Sequence, residues 1–178
     1  MTATDNSNRG FILWLTGLSG AGKSTLARTL ARALARELEA VVLEDEHDES
    51  VETRVLARAA ASAGKLAINA TISPLREARA RARAEAASAG LAFVEVYLEA
   101  APETLVARDP HGDYQRAFDS DSDSDIAGVT AAYEPPRCPE IRLRSDLESV
   151  GQSTRIVLRQ LERRGLIGFG ARERRRAA

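Results

Sequence analysis

The sequence predicts an α/β domain in three layers, a mainly parallel sheet with helices on both faces. Three observations carry this expectation. Apolar runs with strand character alternate strictly with helical segments, and a glycine-rich turn joins the first strand to the first helix. The chain is also the right size, because 178 residues, 44% hydrophobic and 29% charged, supply one compact core and are few for two domains.

Phe11 to Thr16 is a continuous apolar run, as expected of a strand buried on both faces of a parallel sheet. From Lys23 to Glu39 the residues Leu26, Leu30, Leu34 and Leu38 recur at every fourth position with Arg28, Arg32 and Arg36 between them, which predicts an amphipathic helix. Ala40 to Leu43 reads as a strand, Val51 to Ala63 as a helix ended by Gly64, and Leu66 to Ala70 as a further strand. A helix is predicted from Pro74 to Ala89, with proline in its first turn and Gly90 just past its end. Its arginines, Arg76, Arg79, Arg81 and Arg83, read as a solvated Arg/Ala face. A strand over Ala92–Leu98, a short helix over Pro102–Ala107, a short strand over Ile141–Leu143 and a closing helix over Val150–Arg164 complete the alternation.

Between Asp109 and Pro139 the pattern lapses, and Asp119 to Asp125 alternates Asp with Ser. A loop of this length in a compact domain is expected to be a mobile lid, about residues 109–139. Residues 1–10 read as a disordered polar tail and residues 168–178 as a basic, solvated tail, leaving 11–167 as the folded domain.

Composition narrows the function classes. Lys and Arg number 25 against 26 Asp and Glu, a net charge of -1, so no basic field exists to hold nucleic acid or an anionic membrane. One cysteine, Cys138, forms no internal disulfide, and neither it nor His47 and His111 has zinc-ligand spacing. The apolar run at Phe11–Leu15 is too short for a signal peptide or a membrane span. The expectation is a soluble cytoplasmic protein with a small-molecule substrate.

The chemistry is concentrated in Gly17-Leu18-Ser19-Gly20-Ala21-Gly22-Lys23-Ser24, a match to the Walker A pattern placed between a predicted strand and a predicted helix. The glycines allow backbone N–H groups to curl around phosphate oxygens, and the helix N-terminus adds its dipole. Lys23 is expected to neutralise the β- and γ-phosphates of ATP and Ser24 to ligate Mg²⁺. The fold class is accordingly of the P-loop NTPase type, with Gly17, Ser19, Gly20, Ala21, Gly22, Lys23, Ser24 and Thr25 as nucleotide-binding residues.

At this point the sequence resembles the adenylyl-sulfate (APS) kinase family from about Phe11 to Ile167. Gly17 to Thr25 is similar to that family's phosphate loop, and Ile72-Ser73-Pro74 with Arg76 and Arg79 to its Ile-Ser-Pro helix start. Glu95 to Leu98 resembles its fourth strand, and Ala107-Arg108-Asp109-Pro110 with Gly112 and Tyr114 its lid entry. Tyr133 to Pro136 and Pro139-Glu140 resemble the segment after the lid. The resemblance implies phosphoryl transfer from Mg-ATP to a hydroxyl group, Arg108 against the nucleotide, Ile72 and Ser73 on the substrate side, a lid that excludes water, and a possible homodimer.

The substrate half departs from the family. Glu44-Asp45-Glu46 stands where the family has Asp-Gly-Asp, so one of the two outer carboxylates, Glu44 before Glu46, is expected to orient or deprotonate the acceptor and the other to hold Mg²⁺ through water. Most of the following segment, with its Arg, Phe and Asn side chains, is absent, and Glu46, Asp48 and Glu49 align with its end. In the lid a Lys-rich stretch becomes Gln115-Arg116, and a Phe becomes Ile126. Carboxylates repel an anionic acceptor, so the expectation is a neutral or cationic hydroxylated metabolite paired with Glu44, Glu46, Asp48 or Glu49, the other reading of this cluster being a solvated loop whose carboxylates serve only Mg²⁺ and solubility. Two alternatives stand beside it: a genuine APS kinase, with Arg76 or Arg116 replacing lost contacts, and a nucleotide-binding relic without catalysis.

Overall fold

The computed structural model describes residues 10–44, 51–109, 112, 114 and 132–168. Five strands, β1 (Phe11–Thr16), β2 (Ala40–Leu43), β3 (Leu66–Ala70), β4 (Ala92–Glu99) and β5 (Ile141–Arg144), form one sheet in the order β2-β3-β1-β4-β5. Every described pairing is parallel. Among the described residues five helices alternate with them: α1 (Lys23–Leu34), α2 (Val51–Ser62), α3 (Arg76–Ser88), α4 (Pro102–Arg108) and α5 (Val150–Arg163).

The alternating side chains of the strands divide the core in two. Phe11, Leu13 and Leu15 of β1 join Leu66, Ile68, Val94, Val96 and Leu143 against Leu26, Leu30 and Leu34 of α1 and Val157 and Leu161 of α5. On the other face Ile12 and Trp14 meet the alanines of α2 (Ala57, Ala61) and α3 (Ala82, Ala86). Small residues on these two helices let them lie close to the sheet, and Trp14 fills the space left over. Both faces are covered, which is why β1 is buried at every position and apolar from Phe11 to Leu15.

The strand order also locates the site. β1 lies between β3 and β4, so the chain leaves its carboxyl end at the point where the connections diverge to opposite sides of the sheet. Open parallel sheets bind ligands at such a crevice.

Several expectations change. α1 stops at Leu34 rather than Glu39, because Leu38 N–H and Glu37 N–H both turn back to the Leu34 carbonyl; Leu38 still packs on the core from the turn. α3 begins at Arg76, so Pro74 precedes the helix instead of occupying its first turn, and its carbonyl accepts from Glu134 N–H at 2.9 Å. Gly10 belongs to the folded body and not to a tail: it is buried, and a Cβ there would meet the Ala61 and Lys65 carbonyls at 2.3 and 2.4 Å. The expected lid is packed at its described ends, with Tyr114 buried and residues 132–139 laid against α3 and β4. The rest of that lid, the polar tail 1–9 and the tail beyond 168 lie outside the described residues. No helix among the described residues is long and apolar enough to cross a membrane.

Candidate active site

The turn after β1 has the backbone of an anion cradle. Gly17 (φ 151°), Gly20 (φ 75°) and Gly22 (φ 91°) all adopt positive φ. At Gly17 a Cβ would lie 2.4 Å from the Leu98 carbonyl, so only glycine lets the loop lie this close to β4. Gly22 caps α1 without a side-chain hydrogen bond, and no acidic residue occupies the first turn. The first N–H groups of α1 therefore face the loop without an intrahelical partner, with the positive end of the helix dipole behind them.

Lys23 is the one cation inside this turn. Its ammonium donates to the Gly17 carbonyl at 2.8 Å and to the Leu18 carbonyl at 2.9 Å, which folds the side chain over the loop. Only 8% of the residue is exposed, and burial lowers its pKa from 10.5 to about 8. An anion in the cradle would favour the ammonium and raise that pKa again.

A cleft of about 670 Å³ opens from the loop. Ser19, Gly20, Ala21, Gly22, Lys23, Ser24 and Thr25 line its floor, so seven of the eight predicted loop residues meet there, and Gly17 supports them from beneath. Arg108 lines it too, from the last turn of α4, donating to the Ser145 carbonyl at 2.8 Å and more weakly to Gly20 at 3.4 Å. Tyr114 closes the loop's outer side by donating its hydroxyl to the Ser19 carbonyl at 3.1 Å. The far end of the cleft is Ser145, Glu148, Ser149, Val150 and Ser153, at the start of α5. That end carries no motif, and only the fold brings it to the loop.

The acceptor side is less as expected. Ile72 lines the cleft, but Ser73 does not; it is fully buried, and its hydroxyl accepts from Trp14 Nε1 at 3.1 Å and lies 2.7 Å from Thr71 Oγ1. The Ser73 side chain, expected on the substrate side, is thus held in the interior instead. Glu44 stands at the end of β2 in an ion pair with Arg28 of α1, and it is Arg28 that lines the cleft. The carboxylate expected to meet a cationic acceptor is thus already partnered, and its partner, not Glu44, reaches the cleft. Glu46, Asp48, Glu49 and Arg116 lie outside the described residues.

Three residues given no role from the sequence shape this side. Thr16, at the end of β1, donates to the Ile72 carbonyl at 2.6 Å and lies 3.1 Å from the Tyr133 hydroxyl. Arg79, expected on a solvated face, is 3% exposed and pairs with Glu95 at 2.9 Å. No periodicity signals its burial, since the partners come from β4 and from the segment before β5. The motif positions of Tyr133 and Arg79 were visible, but not their contacts.

Comparison with known proteins agrees with this geometry. A family model described as adenylylsulphate kinase matches residues 9–48 and 43–144. An adenylyl-sulfate kinase of Myxococcus xanthus is 38% identical over 180 residues, covering 91% of this chain and 96% of the relative. One of Burkholderia ambifaria is 36% identical over 169 residues, covering 85% and 92%. Among solved structures, an APS kinase of Mycobacterium tuberculosis in complex with AMPPNP and APS is similar with a TM-score of 0.77 at 32% identity, over 86% of this chain and 98% of that one.

Proposed function

Because the chain belongs to the adenylylsulphate kinase family and is an ATP-dependent phosphotransferase acting on a hydroxyl group, we propose that its acceptor is adenylyl sulfate itself. The reaction is then APS + ATP giving 3′-phospho-APS + ADP. The observation that carries this reading is the Arg28–Glu44 pair. The cationic-acceptor expectation needed a free carboxylate at the mouth of the cleft, whereas Glu44 is paired with Arg28 and does not line the cleft, so no net negative charge there opposes an anionic acceptor. The similarity to an APS kinase solved with APS points the same way.

In this reading the loop N–H groups and Lys23 hold the β- and γ-phosphates, and Arg108 covers them from α4. Mg²⁺ fits the residues present: Ser24 lines the cleft beside Lys23, and its hydroxyl would hold the ion together with phosphate oxygens. When bound it supplies neutralisation of the charge that grows on the phosphate oxygens. The acceptor oxygen forms a bond to the γ-phosphorus as the bond to the bridging oxygen of ADP breaks. Lys23 and the α1 N-terminus stabilise the charge left on ADP. The acceptor proton goes to a carboxylate, for which we retain Glu46, since Glu44 is held by Arg28.

The test is transfer with purified protein, Mg-ATP and APS, following ADP and 3′-phospho-APS, with Lys23→Ala as the blank. Product at wild type and its loss by a factor on the order of 10² or more in the variant are expected. ATP binding without transfer to APS, and transfer instead to an amino alcohol or amino sugar, would overturn the proposal.

A further inference from the structure

The segment Tyr133–Pro136 ties together two walls of the site. Thr16 has one hydroxyl proton, and the Ile72 carbonyl at 2.6 Å can only accept it. The Tyr133 hydroxyl, 3.1 Å away, is therefore the donor to Thr16. Burial pushes the Tyr133 phenol well above its ordinary value, which keeps that proton in place. Through one oxygen, then, the root of the phosphate loop is joined both to Ile72 and to Tyr133.

Arg79 ties the same segment from the other side. Its Nε donates to Glu95 at 2.9 Å, one terminal nitrogen to the Ser73 carbonyl at 2.5 Å and the other to the Glu134 carbonyl at 2.6 Å. Its guanidinium carbon lies 5.9 Å from the centre of the Tyr133 ring, whose other neighbour is Tyr97 at 6.3 Å. Glu134 answers with its carboxylate, which accepts the Arg76 N–H at 2.8 Å at the start of α3. Between these ties Ser73 is held at φ 47°, a left-handed conformation unusual for a non-glycine residue. Strain of this kind persists only where the surroundings over-determine it, and here an arginine and an adjacent hydroxyl network fix it on both sides.

We propose that Tyr133 and Arg79 are positioning residues that set the Ile72 wall of the cleft against the phosphate loop, and so place the acceptor in line with the γ-phosphate. Neither side chain lines the cleft. Their effect runs through Thr16, the Ile72 and Ser73 carbonyls and the Glu134 backbone. The α4 and α5 walls of the nucleotide end share none of these bonds, and the phosphate loop meets them only at its root, Thr16, so the inference predicts a larger effect on the acceptor than on the nucleotide. It rests on the reading of the acceptor as adenylyl sulfate.

The experiment compares wild type with Tyr133→Phe, which removes one oxygen and keeps the ring between Tyr97 and Arg79, and with Arg79→Lys, which keeps the charge for Glu95 but not the three-way fork. For each, kcat and KM for APS, the Kd for AMPPNP, and the melting temperature are measured. The expected result is a fall in kcat/KM for APS on the order of 10- to 100-fold, with AMPPNP affinity within about twofold. Equal loss for both substrates in step with the melting temperature, or an unchanged kcat/KM for APS, would overturn the inference. If wild type does not phosphorylate APS, the functional proposal fails and amide hydrogen exchange decides this one. Faster exchange at Ser73, Leu75 and Arg76 in Tyr133→Phe, with the phosphate loop unchanged, supports it, and unchanged exchange at those amides overturns it.

Discussion

Lys23 shows how one residue can be stored for its ligand. The buried ammonium is held by two loop carbonyls, but burial still brings its pKa down to about 8. Nucleotide phosphates favour the charged form, so binding below that pH meets an ammonium already in place. Above it, binding must take up a proton. Affinity for AMPPNP is therefore expected to be flat from pH 7 to about 8 and then to fall, by up to about tenfold per unit. Isothermal titration in buffers of different ionisation enthalpy would show proton uptake only in the upper range. An affinity that stays level to pH 9.5 would place the Lys23 pKa outside this window.

The elements around the site differ in how they are fixed. α5 is locally encoded: Ser149 Oγ accepts from Gln152 N–H, and Gln152 Oε1 accepts from Ser149 N–H, a capping box that starts the helix at the nucleotide end of the cleft. Ser149→Ala should cost about 1 kcal/mol, read as a lower urea midpoint with unchanged m-value. α3 is fixed from a distance. Its N-cap residue Leu75 supplies no side-chain hydrogen bond, and the Glu134 carboxylate, 58 residues away, takes the Arg76 N–H instead. For that reason the sequence points to a start at Pro74 and the helix begins at Arg76: the group that closes its first turn lies in another segment.

At the scale of the whole molecule, α3, β4 and the segment before β5 are joined by a second tie. Arg83 donates to both oxygens of Glu140 at 2.7 Å, and Glu140 also accepts the Glu95 N–H at 2.7 Å. Burial raises the Glu140 pKa, but these donors outweigh it and hold the carboxyl below its ordinary value of 4.5. The stability gained is complete above that pH and is lost as pH falls through the folded value. Glu140→Gln should accordingly melt at a lower temperature than wild type at pH 7, with the gap closing as pH falls toward 3.5. Parallel melting curves across that range would remove Glu140 from the acid transition.

Local sequence determined the layers and the phosphate loop. Apolar periodicity depends only on neighbours along the chain, and the glycines between β1 and α1 are demanded by backbone angles and close approach that no other residue satisfies. Tertiary structure decided the acceptor side. Arg79 looks like one arginine of a solvated helix until β4 brings Glu95 beneath it, and Glu44 looks like a free carboxylate until α1 brings Arg28 to it. Charge and hydroxyl groups take their meaning from partners at hydrogen-bond distance. Glu95 lies 16 residues from Arg79, Glu44 16 from Arg28 and Tyr133 117 from Thr16 along the chain, where no local pattern can reach.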